Sequence, residues 1–127
     1  MIVIDTSAVI AMLSGEPETV RFAKALAGFE RRALAAANFV ECALVLSNRP
    51  LIRPQFEPWL RAAGVGIVAV DEELARRAVR AFERFGKGRH PAGLNFGDCF
   101  AYALAKSLDA PLLFKGDDFA KTDVRAA

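Results

Sequence analysis

Five acidic residues stand where apolar segments end or helical segments begin in this 127-residue sequence. Asp5 directly follows the apolar run "IVI", and Asp117 and Asp118 follow "LLFKG". Glu41 and Asp98 each occupy the acidic position of a repeated pattern, Asn-Phe-x-acid-Cys, that begins at positions 38 and 95. Four separate segments therefore each supply at least one carboxylate.

Clustered carboxylates repel one another and raise each other's pKa unless a cation neutralises them. Carboxylate oxygens are hard ligands that suit Mg²⁺ or Mn²⁺, and Mg²⁺ keeps several waters and binds through few carboxylates plus substrate phosphate. A metal held in this way can activate water and stabilise an in-line displacement at phosphorus. If the acids meet in space, they predict metal-assisted phosphoryl chemistry.

The elements that would bring the acids together are short strands that alternate with helices. The runs "MIVI", "RALAAA", "GVGIVAV" and "APLLF" read as strands, although alanine makes the second assignment weak. Strands separated by helices predict a parallel sheet covered on both faces, and hence the α/β class. Ligands of such sheets bind at the carboxyl ends of the strands, which is where these acids fall. The predicted helices are "SAVIAML", "PETVRFAKALAGF", "FVECALVLS", "QFEPWLRAA", "DEELARRAVRAFERFG" with Asp71 as N-cap, and "FGDCFAYALAKS".

Each acid also has a purely structural interpretation. Asn38 and Asn95 can be N-caps, which would place Glu41 and Asp98 at the acidic position of a capping box. An acid there complements the helix dipole by ~0.3–1 kcal/mol. Asp5 could similarly cap the next helix, and the "DD" pair could form a turn. Convergence favours a metal site, because independent caps have no need to share one edge of a sheet.

Composition bounds the remaining possibilities. At 54% hydrophobic and 25% charged residues, the chain reads as a single soluble globular domain over residues 1–127. No apolar run approaches the ~20 residues that cross a bilayer, and the first residues lack a basic leader, so we expect a cytoplasmic protein. Cys42 and Cys99 lie in apolar patterns that predict buried thiols, and with one histidine, His90, the chain has no zinc-ligand spacing.

The whole chain resembles the PIN-domain ribonucleases, specifically the VapC toxins of bacterial type II toxin–antitoxin modules. "MIVIDTSAVIAML" is similar to their N-terminal signature, and "GKGRHPAGLNFGDCFAYALAKSLDAPLLFKGDDFAKTDV" is similar to the C-terminal half of one VapC subgroup. The resemblance implies a compact α/β/α domain with a short parallel central sheet. It also implies an endoribonuclease that uses Mg²⁺ or Mn²⁺ and leaves 5′-phosphate and 3′-hydroxyl ends.

By position, the resemblance assigns the core acids to Asp5, Glu41 and Asp98. We expect Asp5 and Asp98 to bind the ion directly, and Glu41 to hold it or to orient its water. The fourth acid falls within "KGDDF", where Asp117 is taken as catalytic and Asp118 stays an open alternative. Further candidates are Asp123 as an additional acid, Thr6 and Ser7 as supporting hydroxyls, and Lys87, Arg89, His90, Arg49 and Arg53 as contacts to RNA phosphate.

The resemblance also implies partners. A VapB-type antitoxin would lie in a groove and block the acidic site, and relatives typically form homodimers. The aromatic side chains of Phe22, Phe29, Phe56 and Trp59 have no evident role in the sequence and could form such a dimer surface. Other interpretations are a catalytically silent PIN module that only binds RNA or protein, a DNA nuclease of the same fold, and a phosphatase or receiver domain, which would leave Glu41 unexplained.

Overall fold

The central sheet is parallel throughout, as the alternation of strands and helices predicted. The structure, a computed structural model, describes all 127 residues. Its four strands run in the order β3-β2-β1-β4, with each neighbouring pair in parallel register. The strands are β1 (Ile2–Ile4), β2 (Arg32–Ala35), β3 (Val65–Val68) and β4 (Leu112–Leu113).

Six α-helices connect the strands, and each overlaps a helix that the sequence predicted. Helix α5 begins after Asp71, whose side chain accepts a hydrogen bond from the Leu74 N–H at 2.8 Å, so this predicted N-cap is confirmed. No helix is both long and apolar enough to span a membrane. The helices are α1 (Thr6–Leu13), α2 (Thr19–Ala27), α3 (Ala36–Leu46), α4 (Phe56–Ala62), α5 (Glu72–Phe85) and α6 (Phe96–Ser107).

The two faces of the sheet carry separate hydrophobic cores. Side chains alternate along a strand, so Ile2 and Ile4 of β1 pack with helices α1 to α4, whereas Val3 packs with α5 and α6. All three of these side chains are fully buried, as expected for a parallel sheet covered on both faces. The predicted α/β/α architecture is confirmed.

Helix α3 begins three residues earlier than the sequence indicated. The alanine run that ends β2 passes directly into the helix, with Ala35 in extended conformation as the N-cap residue and no side-chain cap. Asn38 is therefore the third residue of α3 and is fully buried, so the prediction that it caps the helix is wrong. Glu41 consequently lies in the second turn of α3 and not in its first.

The four aromatic side chains proposed as a dimer surface belong to the interior. Phe22 and Phe56 are fully buried in the core beneath α1 to α4. Phe29 and Trp59 are partly buried and pack against the same core. Their apolar surface is therefore explained by packing within one chain, and that prediction is corrected.

The carboxyl edge of the sheet contains a topological switch point between β1 and β4. The chain leaves β1 toward β2 on one side, whereas β4 lies on the other side, so the two connections diverge and open a crevice. Asp5 follows β1 at this crevice. After β4 the chain turns at Gly116, whose φ of 99° favours glycine, and this turn leads into Asp117 and Asp118.

Candidate metal centre

Asp5 is a buried carboxylate held by one of its oxygens. Its N–H donates to the Leu113 carbonyl of β4 at 2.9 Å, which fixes the backbone at the end of the sheet. Its Oδ2 caps α1 by accepting hydrogen bonds from Ser7, from the N–H at 2.9 Å and from Oγ at 2.6 Å. The Ser7 hydroxyl in turn accepts from the Lys115 N–H at 2.9 Å. The predicted cap is confirmed, and Ser7 positions Asp5.

The other oxygen of Asp5, Oδ1, is buried and has no hydrogen-bond partner. Burial raises the pKa of Asp5, and the negative charge of Glu41 adds to this effect, whereas the hydrogen bonds from Ser7 oppose it. A buried polar atom without a partner is costly, and a raised carboxyl pKa indicates a site where positive charge is favourable. Asp5 therefore presents one free oxygen where a cation would be stabilised.

Asp98 combines a structural and an electrostatic role at the start of α6. Its N–H donates to Asn95 Oδ1 at 2.9 Å, and its Oδ2 accepts from the Asn95 N–H at 3.0 Å, which completes a capping box. Burial raises the pKa of Asp98 to about 6, with further contributions from the charges of Asp5, Glu41 and Asp118. The capping bond opposes this shift. Asp98 thus caps α6 and also lies within range of the other acids.

Glu41 reaches the same place from α3. Its carboxylate lies so close to Gly97, in the first turn of α6, that a Cβ added to this glycine would overlap it. Asn38 connects the same elements, because its Nδ2 donates to the Gly97 carbonyl at 3.0 Å and to Thr6 Oγ1 at 3.3 Å. Both Asn38 and Gly97 therefore shape the site. Sequence reasoning missed these roles, although a glycine directly before a candidate ligand was a usable signal.

The three remaining acids differ in their surroundings. Asp117 and Asp118 are exposed after β4, and the charge of Asp118 contributes to the raised pKa of Asp98. Asp123 has partners of its own. Tyr102 donates a hydrogen bond to its Oδ1 at 2.5 Å, and its Oδ2 is 3.3 Å from both Arg84 Nη1 and Lys106 Nζ. The hydrogen bond from Tyr102, followed by the two cations, lowers the pKa of Asp123. Asp123 is thus neutralised by its own partners.

The donor set suits a hard divalent cation. The acids provide carboxylate oxygens, which are hard ligands, and burial raises the pKa of the neighbouring Cys42 thiol to about 12. The structure has no group of three or more His, Cys, Asp or Glu side chains already at metal-ligand spacing. Mg²⁺ binds through one or two carboxylates and retains water, so a pair of these carboxylates is the donor set it requires.

The basic residues proposed to contact RNA lie in two segments. Lys87, Arg89 and His90 lie in the long loop before α6, and Arg49 and Arg53 precede α4. Lys87 and Arg89 are exposed in that loop. His90 is half-buried, with its ring edge against Phe85 and its Nδ1 accepting the Ala92 N–H at 3.0 Å, which is a structural role. Contacts of RNA with these side chains, and with Arg49 and Arg53, stay predictions.

Comparison with known proteins gives concordant matches. The PIN domain family model matches residues 2–125. "Ribonuclease VapC30" of Mycobacterium tuberculosis is 49% identical over 96% of this chain and 95% of its own length. "Ribonuclease VapC" of Mycolicibacterium smegmatis is 48% identical over 98% of both chains. The crystal structure of VapBC2 from Rickettsia felis, bound to a DNA fragment from their promoter, aligns with a TM-score of 0.76 over 100% of this chain and 98% of that chain at 11% identity, which shows the fold alone.

Proposed function

This chain belongs to the PIN-domain family, with the VapC ribonucleases among its relatives, and from that premise we propose that it is a metal-dependent endoribonuclease acting as the toxin of a toxin–antitoxin pair. The observation that carries the proposal is the convergence of Asp5, Glu41 and Asp98 on one crevice. The carboxylates act on one another there, and Asp5 keeps a buried oxygen without a partner. The substrate would be an RNA phosphodiester bond.

Mg²⁺ or Mn²⁺ is the cofactor that this donor set favours, and Asp5 and Asp98 would hold it with Glu41 beside them. When bound, such an ion lowers the pKa of water and stabilises the negative charge that develops at phosphorus. The protein's part is preorganisation. Ser7 fixes Oδ2 of Asp5 so that Oδ1 stays free, while the Asn95 N–H fixes Oδ2 of Asp98.

We assign the fourth acid to Asp118 in preference to Asp117. Of these two neighbours, Asp118 is the one whose charge contributes to the raised pKa of Asp98. Its exposed position after the turn at Gly116 leaves the carboxylate free to approach a bound substrate or its ion. A substitution pair, Asp117→Asn against Asp118→Asn, separates the two by cleavage rate.

The partners follow from the same premise. A VapB-type antitoxin is the proposed inhibitor, supported by the VapBC2 complex that shares this fold. A homodimer is proposed as well, with a different surface from the four aromatic residues. Val40 and Leu44 are one turn apart on α3 and are 53% and 66% exposed, so they offer an apolar strip to a second copy. The proposed location is the cytoplasm.

Cleavage of RNA by the purified protein tests the proposal. We expect wild type to cut RNA with Mg²⁺ or Mn²⁺, to stop when a chelator is added, and to leave DNA largely intact. Asp5→Asn removes the charge but keeps an oxygen that can still cap α1, and it should abolish cleavage. Asp109→Asn is the matched control, because Asp109 is exposed and its φ of 48° suits asparagine equally well.

Growth arrest on expression without the antitoxin provides the second readout. Asp5→Asn should relieve the arrest while antitoxin binding is largely retained, since that contact would spread over a groove. Arrest of equal strength by wild type and by Asp5→Asn would show that toxicity comes from binding. The silent-module interpretation would then replace the nuclease.

A further inference from the structure

Helices α5 and α6 form a basic surface pocket that the metal centre does not use. Its volume is about 330 Å³, and four cationic side chains line it together with Tyr102. We propose that this pocket binds a phosphate group of the RNA at a distance from the cleaved bond. The proposal rests on the proposed ribonuclease function and adds a substrate-binding subsite to it. The four cations, here called the basic pocket residues, are Arg77, Arg80, Arg84 and Lys106.

The charge of the pocket is not cancelled by its own carboxylates. Arg84 and Lys106 share the single carboxylate of Asp123, at 3.3 Å each. Arg77 pairs with Glu73 at 3.2 Å, and Arg80 makes no ion pair. Four cations against the two carboxylates of Asp123 and Glu73 leave two positive charges in excess at the pocket. An excess of this size confined to one pocket attracts an anion.

Two of the four cations are held by one carboxylate. The Tyr102 hydroxyl donates to Asp123, whose other oxygen is 3.3 Å from both Arg84 Nη1 and Lys106 Nζ, so the carboxylate brings these two cations to the same side of the pocket. Guanidinium groups present several donors in a planar fork that matches phosphate oxygens. Preorganised donors lose less conformational entropy when they bind a phosphate.

The position of the pocket along α6 suits a nucleic-acid strand that also reaches the metal centre. Asp98, Tyr102 and Lys106 recur every four residues and so lie along one side of α6. Lys106 is two turns, roughly 12 Å, farther along the helix axis than Asp98. An RNA that places one phosphate at the proposed metal beside Asp98 can therefore place another, a few nucleotides away, at the basic pocket residues.

An acidic protein segment is the competing occupant, and the lining argues against it. Protein interfaces are anchored by large apolar or aromatic side chains that enter apolar pockets. The hydrophobic lining here is limited to Ala81, Ala103 and Tyr102, and the hydroxyl of Tyr102 is engaged by Asp123. The donors suit phosphate better than they suit an anchoring peptide.

The salt dependence of RNA binding tests the subsite without requiring cleavage. The double variant Arg77→Gln, Arg80→Gln removes the charges of half-buried Arg77 and exposed Arg80 and leaves the Asp123 contacts intact. Its matched control is Lys24→Gln, Arg61→Gln, which removes two exposed charges from the opposite helical layer. Binding of a fluorescein-labelled RNA hairpin is measured by anisotropy in chelator over a series of salt concentrations, and circular dichroism checks that each variant is folded.

We expect the pocket variant to bind the hairpin roughly tenfold more weakly near 0.1 M salt and to reduce the slope of log K against log salt by about 0.7 for each lost phosphate contact. The control should keep the wild-type slope. Equal slopes for wild type and the pocket variant, or equal losses in variant and control, would overturn the proposal. A labelled Glu-rich peptide is titrated in parallel. If the pocket variant lost binding to this peptide and not to the hairpin, the proposal would also be overturned. Failure of wild type to cleave RNA would instead overturn the ribonuclease function. The salt dependence of RNA binding would still test the pocket, because it is measured without cleavage.

Discussion

The segments Asn38–Cys42 and Asn95–Cys99 share the pattern Asn-Phe-x-acid-Cys, yet they enter their helices at different points. Asn95 is the N-cap of α6, so its segment spans the first turn of that helix. Asn38 is already the third residue of α3, so its segment continues into the second turn. The same five residue types thus occupy different positions relative to a helix start.

The two asparagines differ most. Asn95 is exposed, and its side chain satisfies the backbone of its own helix. Asn38 is fully buried, and its amide joins α3 to Thr6 of α1 and to Gly97 of α6. One asparagine therefore acts locally, whereas the other fixes how three helices meet at the acidic crevice.

The two acids reach that crevice in different ways. Asp98 has a short side chain and lies at the helix start, so its carboxylate is at the site while it also caps. Glu41 starts deeper in its helix, and its longer side chain extends to the backbone at Gly97. The longer side chain of Glu41 compensates for its start in the second turn of α3. The two segments can therefore serve one site without being structurally equivalent.

The largest difference we expect between the segments is in stability. Asn38→Ala removes a buried amide that joins α3 to the Gly97 carbonyl of α6 and to the Thr6 hydroxyl of α1, and it leaves a cavity in the interior. It should lower the free energy of unfolding by about 2–3 kcal/mol. Asn95→Ala removes an exposed N-cap and should cost about 1 kcal/mol. Urea denaturation of both variants measures the difference. Equal losses would mean that the buried amide of Asn38 does not connect the helices as described.

The contact between Glu41 and Gly97 should affect activity more than stability. Gly97→Ala inserts a methyl group where the carboxylate lies, and the flexible Glu41 side chain can move away at little energetic cost. If Glu41 serves the proposed metal, its displacement should reduce cleavage about 10–100-fold. Alanine is also the better helix former, so the unfolding midpoint should not fall. Wild-type cleavage by a stable Gly97→Ala protein would exclude a role for the position of Glu41.

The cysteines of the two segments should behave alike, because both are buried thiols. Cys42→Ala and Cys99→Ala should each cost roughly 1–2 kcal/mol of stability as small deletions from a packed core. Cleavage per folded molecule should persist in both. Loss of activity at unchanged stability would instead require chemistry at the thiol.

The smallest expected effect concerns the charge of Asp98 in the metal-free protein. The pKa of Asp98 is raised from 3.8 to about 6 in the folded state, so stability falls as the pH rises through this range and stays lower at pH 7. Asp98→Asn keeps an oxygen for the Asn95 N–H and has no charge. In chelator at pH 7, its unfolding midpoint should be a few degrees above that of wild type. Below pH 4 the difference should disappear, and a lower midpoint at pH 7 would contradict the electrostatic account.

The parts of the fold that could be predicted are those encoded by local signals. Helix α6 has the predicted bounds because Asn95 and Asp98 form a capping box ahead of a regular apolar pattern. The start of α3 was misplaced because an alanine run contains neither a cap nor a clear period, and Ala35 and Ala36 could equally continue the strand. The local pattern thus predicted the start of α6 correctly and the start of α3 incorrectly.

Features that depend on tertiary contacts could not be read from the sequence. The approach of Glu41 to Gly97 joins residues 56 positions apart, and the burial of Phe22 and Phe56 depends on how α2 and α4 cover the sheet. Asp117 and Asp118 are adjacent acids of equal chemistry, so only their distance from Asp98 in space can separate them. Convergence of the acids on one edge was predictable because it follows from the parallel topology.

Binding of Mn²⁺ in the absence of RNA tests most directly whether the two segments serve one metal centre. Calorimetric titration should show that wild type binds Mn²⁺ and that Glu41→Gln and Asp98→Asn each bind it at least about tenfold more weakly while remaining folded. Wild-type affinity in Asp98→Asn would show that Asp98 only caps α6. Wild-type affinity in Glu41→Gln would show that α3 contributes no carboxylate to the ion, and the shared centre would be contradicted.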